Sequence, residues 1–355
     1  MLLVKQIEVM QNQKIRNSNI EILRFVLMSA ILLWHVFMHG YGFKSIGTEG
    51  FVYQENMPLS LFLATLLSPA TYCFVFISGF FGIHFKLSKL FQIIIWCVFV
   101  SVIQTGIQVF YWGEYVGAKD LIHALCPITS ERWWFMTAFV QLYILSPILN
   151  YWTKNVAKKE FRLILTCVFF LSFLHIVTGS YNAGSSLLGL IFVYLLGRYF
   201  KKYGCCDSRK SRKFYLGSFG GLFALLLSVY LAMVISGNDK GLKIIMYLLG
   251  FINPLIVIMA VCIFFIIYQM PAWKNKYVNK IISANLFIYL FTEGIRGGQI
   301  YTFLGNKFHE NMLVGVSYFF LALIACILGG LIIVKISNFI LVAAKSIHKK
   351  IMFSD

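Results

Sequence analysis

Arg24 and His35 stand eleven residues apart in the first apolar stretch of the chain, Asn19-Ile-Glu21-Ile-Leu-Arg24-Phe-Val-Leu-Met-Ser29-Ala-Ile-Leu-Leu-Trp34-His35. In an α-helix eleven residues make three turns, so both side chains fall on one face, roughly 16 Å apart along the axis. Glu21, three positions before Arg24, lies near the same stripe. A guanidinium offers a planar fork to a phosphate or carboxylate, and an imidazole, titrating near about 6.5, can take a proton from a hydroxyl. Each residue also has a structural reading: the arginine as a snorkelling anchor, the histidine as a group satisfied by a neighbouring helix. Together they describe a polarised groove, with an anion clamp at one end and a base further along. Ionisable groups at membrane depth cost at least ~2.5 kcal/mol each, and this one helix carries three on one side.

The elements that position these groups are read from composition and hydropathy. Of 355 residues 59% are hydrophobic and 12% charged, with a mean hydropathy of +0.79. A soluble domain carries about 25% charge, and apolar runs of bilayer length recur along the whole chain. The expected fold class is all-α: a polytopic transmembrane helical bundle of about ten spans. These lie near 20–40, 57–85, 90–112, 133–152, 162–179, 185–200, 214–236, 243–269, 281–303 and 312–342. Segment 1–19 is then a cytoplasmic N-terminal stretch, 20–342 the transmembrane domain and 343–355 a cytoplasmic tail. The polar stretch Met1–Ser18 is followed by a long span with no small-residue cleavage site, so the first helix is expected to stay in place. Pro254, after Asn253, allows a kink or a broken eighth span.

The net charge of +18 raises the question of nucleic acid, but the positions of the charges answer it. All but seven of the 31 lysines and arginines fall on one side of the ten-span scheme. The exceptions are Lys44, Lys119, Arg132, Lys240, Lys243, Arg296 and Lys307. The positive-inside rule puts both termini in the cytoplasm, and a basic inner face binds anionic membrane lipid rather than nucleic acid. Of the cysteines only Cys126 falls on the outer side, so no extracellular disulfide is expected, and Cys205-Cys206 lies in an inner loop. His39, four residues after His35, forms a pair with zinc spacing, but no third ligand or HExxH pattern accompanies it, so no metal is expected.

Further blocks of sequence carry candidates. Phe74-Val-Phe-Ile-Ser78-Gly79-Phe80-Phe81 precedes Lys86 and Lys89, with His84 near the inner end. Glu131 and Arg132 stand just outside the fourth span, ahead of Trp133-Trp134-Phe135 and Gln141-Leu-Tyr143-Ile-Leu-Ser-Pro147-Ile-Leu-Asn150. Ser283-Ala-Asn285-Leu-Phe-Ile-Tyr289-Leu290 leads to Glu293. Ser78-Gly79 reads first as a small-residue helix contact. Trp133, Trp134 and Tyr143 read equally as an interfacial belt and as the floor of a sugar site. Glu131 and Arg132 could bind sugar hydroxyls or pair with each other. His175, alone in the fifth span, reads as structural.

In these blocks, and in the Arg24–His35 spacing above all, the chain resembles the acyltransferase 3 family of membrane O-acyltransferases, from about Ile20 to the last helix. The resemblance implies transfer of an acyl group, usually acetyl from acetyl-CoA, to a hydroxyl of a surface polysaccharide or its lipid-linked precursor. It implies His35 as the catalytic imidazole, acting as base or transient acyl carrier, and Arg24 as a contact to a CoA phosphate. Lys86 and Lys89 would hold the nucleotide end. The family more often has arginine there, and lysine lacks the bidentate fork. Glu21, Ser78, Glu131, Arg132, Trp134, Tyr143, Tyr289 and Glu293 are supporting or acceptor-site candidates. Where the family's late helix commonly continues Tyr-Leu-Ile-His, this chain reads Tyr289-Leu290-Phe291-Thr292-Glu293, so any role of that histidine is absent or falls to Glu293. No permanently bound cofactor is implied; the partners are acyl-CoA, a glycan or lipid-linked glycan and membrane lipids, at the plasma membrane. A transporter or flippase of a polysaccharide intermediate is the alternative, but transport alone has no need of a base aligned with an anion clamp.

Overall fold

The computed structural model describes residues 17–41, 56–173, 186–204, 211–236, 248–249, 253–294 and 297–352. His175, Arg296, Cys205-Cys206 and residues 1–16 lie outside the described residues. All regular structure among the described residues is helical. The first helix, α1 (Ser18–His35), starts at Asn17, whose side chain accepts a hydrogen bond from the Asn19 amide. Such a cap satisfies one of the free amides of a first turn, and Glu21 adds a favourable charge there. The helix stays α-helical as far as His35, so the three-turn relation of Arg24 to His35 holds. It then widens into a π segment, Val36–Tyr41. That widening is not legible in the sequence.

The second expected span is two helices, α2 (Met57–Leu67) and α3 (Ala70–Phe81), joined at Ser68-Pro69. Helix α4 (Leu87–Phe110) follows a short loop and leads to the eight-residue α5 (Ala118–Leu125). Next come α6 (Trp134–Asn155), α7 (Lys158–Phe173), α8 (Leu187–Tyr203) and α9 (Arg212–Ile235). In α10 (Pro254–Tyr268) the proline occupies the first turn behind an Asn253 cap, so it opens a helix instead of kinking one. The expected ninth span is broken into α11 (Lys276–Ile282), α12 (Leu286–Thr292) and α13 (Gly297–Glu310). The last helix, α14 (Met312–Met352), has 41 residues.

Five helical stretches among the described residues are long and apolar enough to cross a membrane: Ser18–Tyr41, Met57–Phe81, Leu87–Phe110, Arg212–Ile235 and Met312–Val342. Helix α6 carries Thr137, Gln141, Ser146, Asn150 and Thr153, and α8 has 17 residues, so each falls short of a uniformly apolar span. Exposed Leu225 and Val229 on α9 and Leu321, Ile324, Leu328 and Ile332 on α14 give these helices apolar outer faces suited to lipid.

Two glycine crossings set the interior. A Cβ on Gly79 of α3 would lie 2.2 Å from the Tyr194 carbonyl oxygen, and one on Gly197 of α8 would lie 2.6 Å from the Phe80 amide. A Cβ on Gly40 would lie 1.9 Å from the Tyr301 carbonyl oxygen, and one on Gly305 2.2 Å from that of Gly40. Small residues allow this backbone-to-backbone approach. The first crossing supports the helix-contact reading of Ser78-Gly79, and the Ser78 hydroxyl donates back to the Phe74 carbonyl at 3.1 Å. The second lays α13 along the π segment, and Tyr301 comes with it.

Candidate active site

His35 is the last α-helical residue of α1, half-buried where the helix changes pitch. Its Nε2 lies 3.5 Å from a Glu293 carboxylate oxygen. The same oxygen accepts a hydrogen bond from the Tyr301 hydroxyl. The Tyr301 ring stacks on the imidazole, with centroids 4.9 Å apart and planes 9° from parallel, and His39 stacks at 5.5 Å. Trp34 meets the imidazole edge-on at 5.0 Å. This aromatic casing fixes the ring plane. A proton on Nε2 aimed at Glu293 leaves the lone pair on Nδ1, which is buried without a hydrogen-bond partner. His35 lines a small cleft of about 20 Å³ together with Ile31, Trp34, Leu67, Ser68, Thr71 and Leu249.

Glu293 is held by its main chain. Helix α12 ends there, and Gly294 turns the chain with φ of 106°, a conformation that favours glycine. The Glu293 carbonyl accepts from Gln104 Nε2 at 2.9 Å and Trp133 Nε1 at 3.2 Å, and the same Gln104 amide reaches the Leu290 carbonyl at 3.0 Å. A Cβ at Gly294 would meet both the Gln104 and the Trp133 side chain at 3.0 and 3.1 Å. Tyr289, one turn earlier, is buried edge-on against Phe135. Trp133 is thus the indole that reaches the site, whereas Trp134 is half-buried beside Phe135.

Arg132 lies on the other side of Trp133, its guanidinium 5.7 Å from that ring. Its Nη1 donates to the hydroxyls of Ser101 at 2.7 Å and Thr105 at 3.1 Å, both on α4. Its Nε and Nη2 are buried without partners. Burial pulls the guanidinium down to about 10, so it stays charged at neutral pH. Glu131 is exposed, with φ of 52°, and no ion pair joins it to Arg132.

Three turns along α1 from His35, Arg24 donates to Glu21 at 2.7 Å. This end of the helix is latched to the α10–α11 connection. The Ser18 amide donates to the Trp273 carbonyl and the Asn275 amide to the Ser18 hydroxyl, both at 2.7 Å, and Asn19 reaches the Pro271 carbonyl at 2.8 Å. Lys86 and Lys89 are exposed around the start of α4, and Lys89 lies over the Trp96 ring at 4.6 Å. The preceding loop is clamped, with the Lys86 amide donating to the Tyr143 hydroxyl at 2.9 Å and the Ile83 amide to that of Tyr194 at 3.1 Å. Tyr143 therefore belongs to the Lys86 loop and not to the surroundings of Trp133. His84 is exposed in the same loop.

The structure thus brings His35 and Glu293 together, keeps Arg24 and Glu21 on the same helix, and gathers Tyr143 with Lys86. Trp133, one of the aromatics read from sequence as a belt or a sugar-site floor, reaches the His35 site; Tyr301 and Gln104 complete it without having been singled out, and they carry no local signal at all. Among the described residues no group of three His, Cys, Asp or Glu side chains is arranged to hold a metal ion.

A half-buried histidine beside a carboxylate thus sits within a bundle of apolar helices, several of them long enough to cross a membrane. The chain belongs to the acyltransferase 3 family: the family's profile, described as an acyltransferase domain, matches residues 17–338. No curated protein and no solved structure matches the chain. It is a membrane acyltransferase.

Proposed function

We propose that this acyltransferase moves an acyl group, acetyl in the first instance, from acyl-CoA to a hydroxyl of a surface polysaccharide or its lipid-linked precursor. The observation that carries this reading is the His35–Glu293–Tyr301 cluster, whose histidine shares helix α1 with a guanidinium three turns away. In the working arrangement the chain crosses the plasma membrane about ten times with both termini inside. Residues 20–342 form the catalytic domain. Acyl-CoA docks at the basic inner mouth, where Arg24 receives a phosphate and exposed Lys86 and Lys89 add positive charge. The pantetheine arm then extends along α1 toward His35.

Chemistry follows from the imidazole's surroundings. The acceptor hydroxyl gives its proton to His35 Nδ1 as its oxygen attacks the thioester carbonyl carbon. The resulting imidazolium keeps its Nε2 proton against the Glu293 carboxylate, which Tyr301 holds in place. Collapse of the tetrahedral intermediate forms the ester and breaks the carbon–sulfur bond. The departing thiolate recovers the proton from Nδ1. A single base, used twice, balances the reaction without a covalent enzyme intermediate. Surface glycans isolated with and without the gene test the reading: loss of an ester on deletion supports it, and an unchanged ester content refutes it.

A further inference from the structure

The guanidinium of Arg132 is positioned as if for a ligand that the chain itself does not supply. Its Nη1 is fixed by two hydroxyls one turn apart on α4, Ser101 and Thr105. This pins the guanidinium plane and leaves the opposite edge, Nε with Nη2, buried and unpaired. That edge presents two parallel N–H donors with the spacing of a carboxylate or phosphate. No ion pair among the described residues neutralises it. A buried charged donor left unsatisfied is costly, so a purely structural arginine at this place would be expected to have a partner for that edge. The location is equally informative. Arg132 packs on Trp133, and Trp133 donates to the Glu293 carbonyl, so one indole links the guanidinium to the segment that carries the carboxylate beside His35. Exposed Glu131 places the protein surface one residue away.

We infer that the Arg132 Nε–Nη2 edge binds an oxyanion carried by the acceptor, which makes the acceptor an acidic glycan or a glycosyl phosphate. This rests on the acyltransferase reading above and specifies the substrate class for its acceptor side. The two oxyanion sources share one chemistry: two oxygens in a plane, presented beside a sugar whose hydroxyl reaches Nδ1 of His35.

Binding is measured apart from transfer, on the full chain in lipid nanodiscs, with methyl glucuronide, glucose 1-phosphate and methyl glucoside as probes. At least one anionic probe should bind roughly ten- to a hundredfold tighter than the neutral glucoside, the usual contribution of a charged hydrogen-bonded pair. Preference for the glucuronide points to a ring carboxylate, and preference for glucose 1-phosphate to a glycosyl phosphate. Arg132→Gln should abolish the preference, and Arg132→Lys, which keeps charge without the fork, should retain only part of it. His35→Ala should leave the preference intact, so a failed transfer assay with intact anion selectivity refutes the reaction but not this site. Equal binding of all three probes to the unaltered protein overturns the proposal, as does full anion preference in Arg132→Gln. If Arg132→Gln does not fold, the unaltered protein and Arg132→Lys still decide it.

Discussion

At the scale of single residues, the chemistry depends on which imidazole nitrogen is free. Glu293 faces Nε2 and Nδ1 has no hydrogen-bond partner, so the proposed mechanism assigns the base to Nδ1 and the choice of tautomer to the carboxylate. His35→Ala should therefore abolish ester formation while the protein still inserts, since loss of a general base costs roughly 10²–10⁴-fold. Glu293→Gln should lower kcat with a smaller change in KM for acyl-CoA. Tyr301→Phe, which frees the carboxylate without removing it, should lower kcat less. A correctly inserted His35→Ala protein that acylates at near-normal rates would remove the chemistry from this helix and favour the transporter reading. Arg24 makes a separate prediction. Arg24→Ala should weaken acyl-CoA binding roughly ten- to a hundredfold, as expected for about 1.5–3 kcal/mol from a charge-assisted contact. Arg24→Lys should recover part of that, and unchanged binding measured in detergent would make Arg24 an anchor only.

At the scale of elements, the site exists because two backbones touch. The π segment and α13 approach so closely at Gly40 and Gly305 that any side chain at either position must push them apart. Gly40→Ala should destabilise the protein by about 1–3 kcal/mol through overpacking, and it should reduce activity further by moving Tyr301 off the imidazole. Gly106→Ala in α4, where a Cβ meets open space, should be neutral or slightly stabilising in the same thermal-unfolding assay. A Gly40→Ala protein with unaltered melting temperature and rate would show that this crossing is not needed. The crossing also explains why the site was only half legible. Arg24 and His35 share one helix, so their relation is fixed by local periodicity and can be read from spacing. Glu293 was reachable because it stands where a family histidine is missing. Tyr301, Gln104 and the π widening at Val36 depend on packing between segments far apart in sequence, and no local pattern encodes that. Tyr143 is the complementary case, where an aromatic of ambiguous use is resolved by its hydrogen bond to the Lys86 amide.

At the scale of the whole molecule, hydropathy made the helical class plain but not the count of spans. Five stretches among the described residues meet the length and apolarity of a membrane span, and Pro254–Tyr268 is a shorter apolar helix. Helix α12 stops at Glu293 because Gln104 and Trp133 bind its last carbonyls, an interruption tolerated at membrane depth only where protein surrounds it. The charge asymmetry gives a topology that the helices can be asked to obey. Lys202 illustrates its inner side: the ammonium caps the end of α6, donating to the carbonyls of Thr153, Lys154 and Val156 at 2.8, 3.0 and 2.8 Å. If both termini are inside, exposed Cys126 after α5 faces out and exposed Lys159 at the start of α7 faces in. An impermeant maleimide added to intact cells should then modify Cys126. It should reach Lys159→Cys, in a background with Cys126, Cys205 and Cys206 changed to Ser, only after permeabilisation. Cys167 lies along the apolar α7, where an impermeant polar reagent has little access, and should contribute little. Labelling of Lys159→Cys from outside would reverse the orientation, and with it the side from which acyl-CoA reaches Arg24.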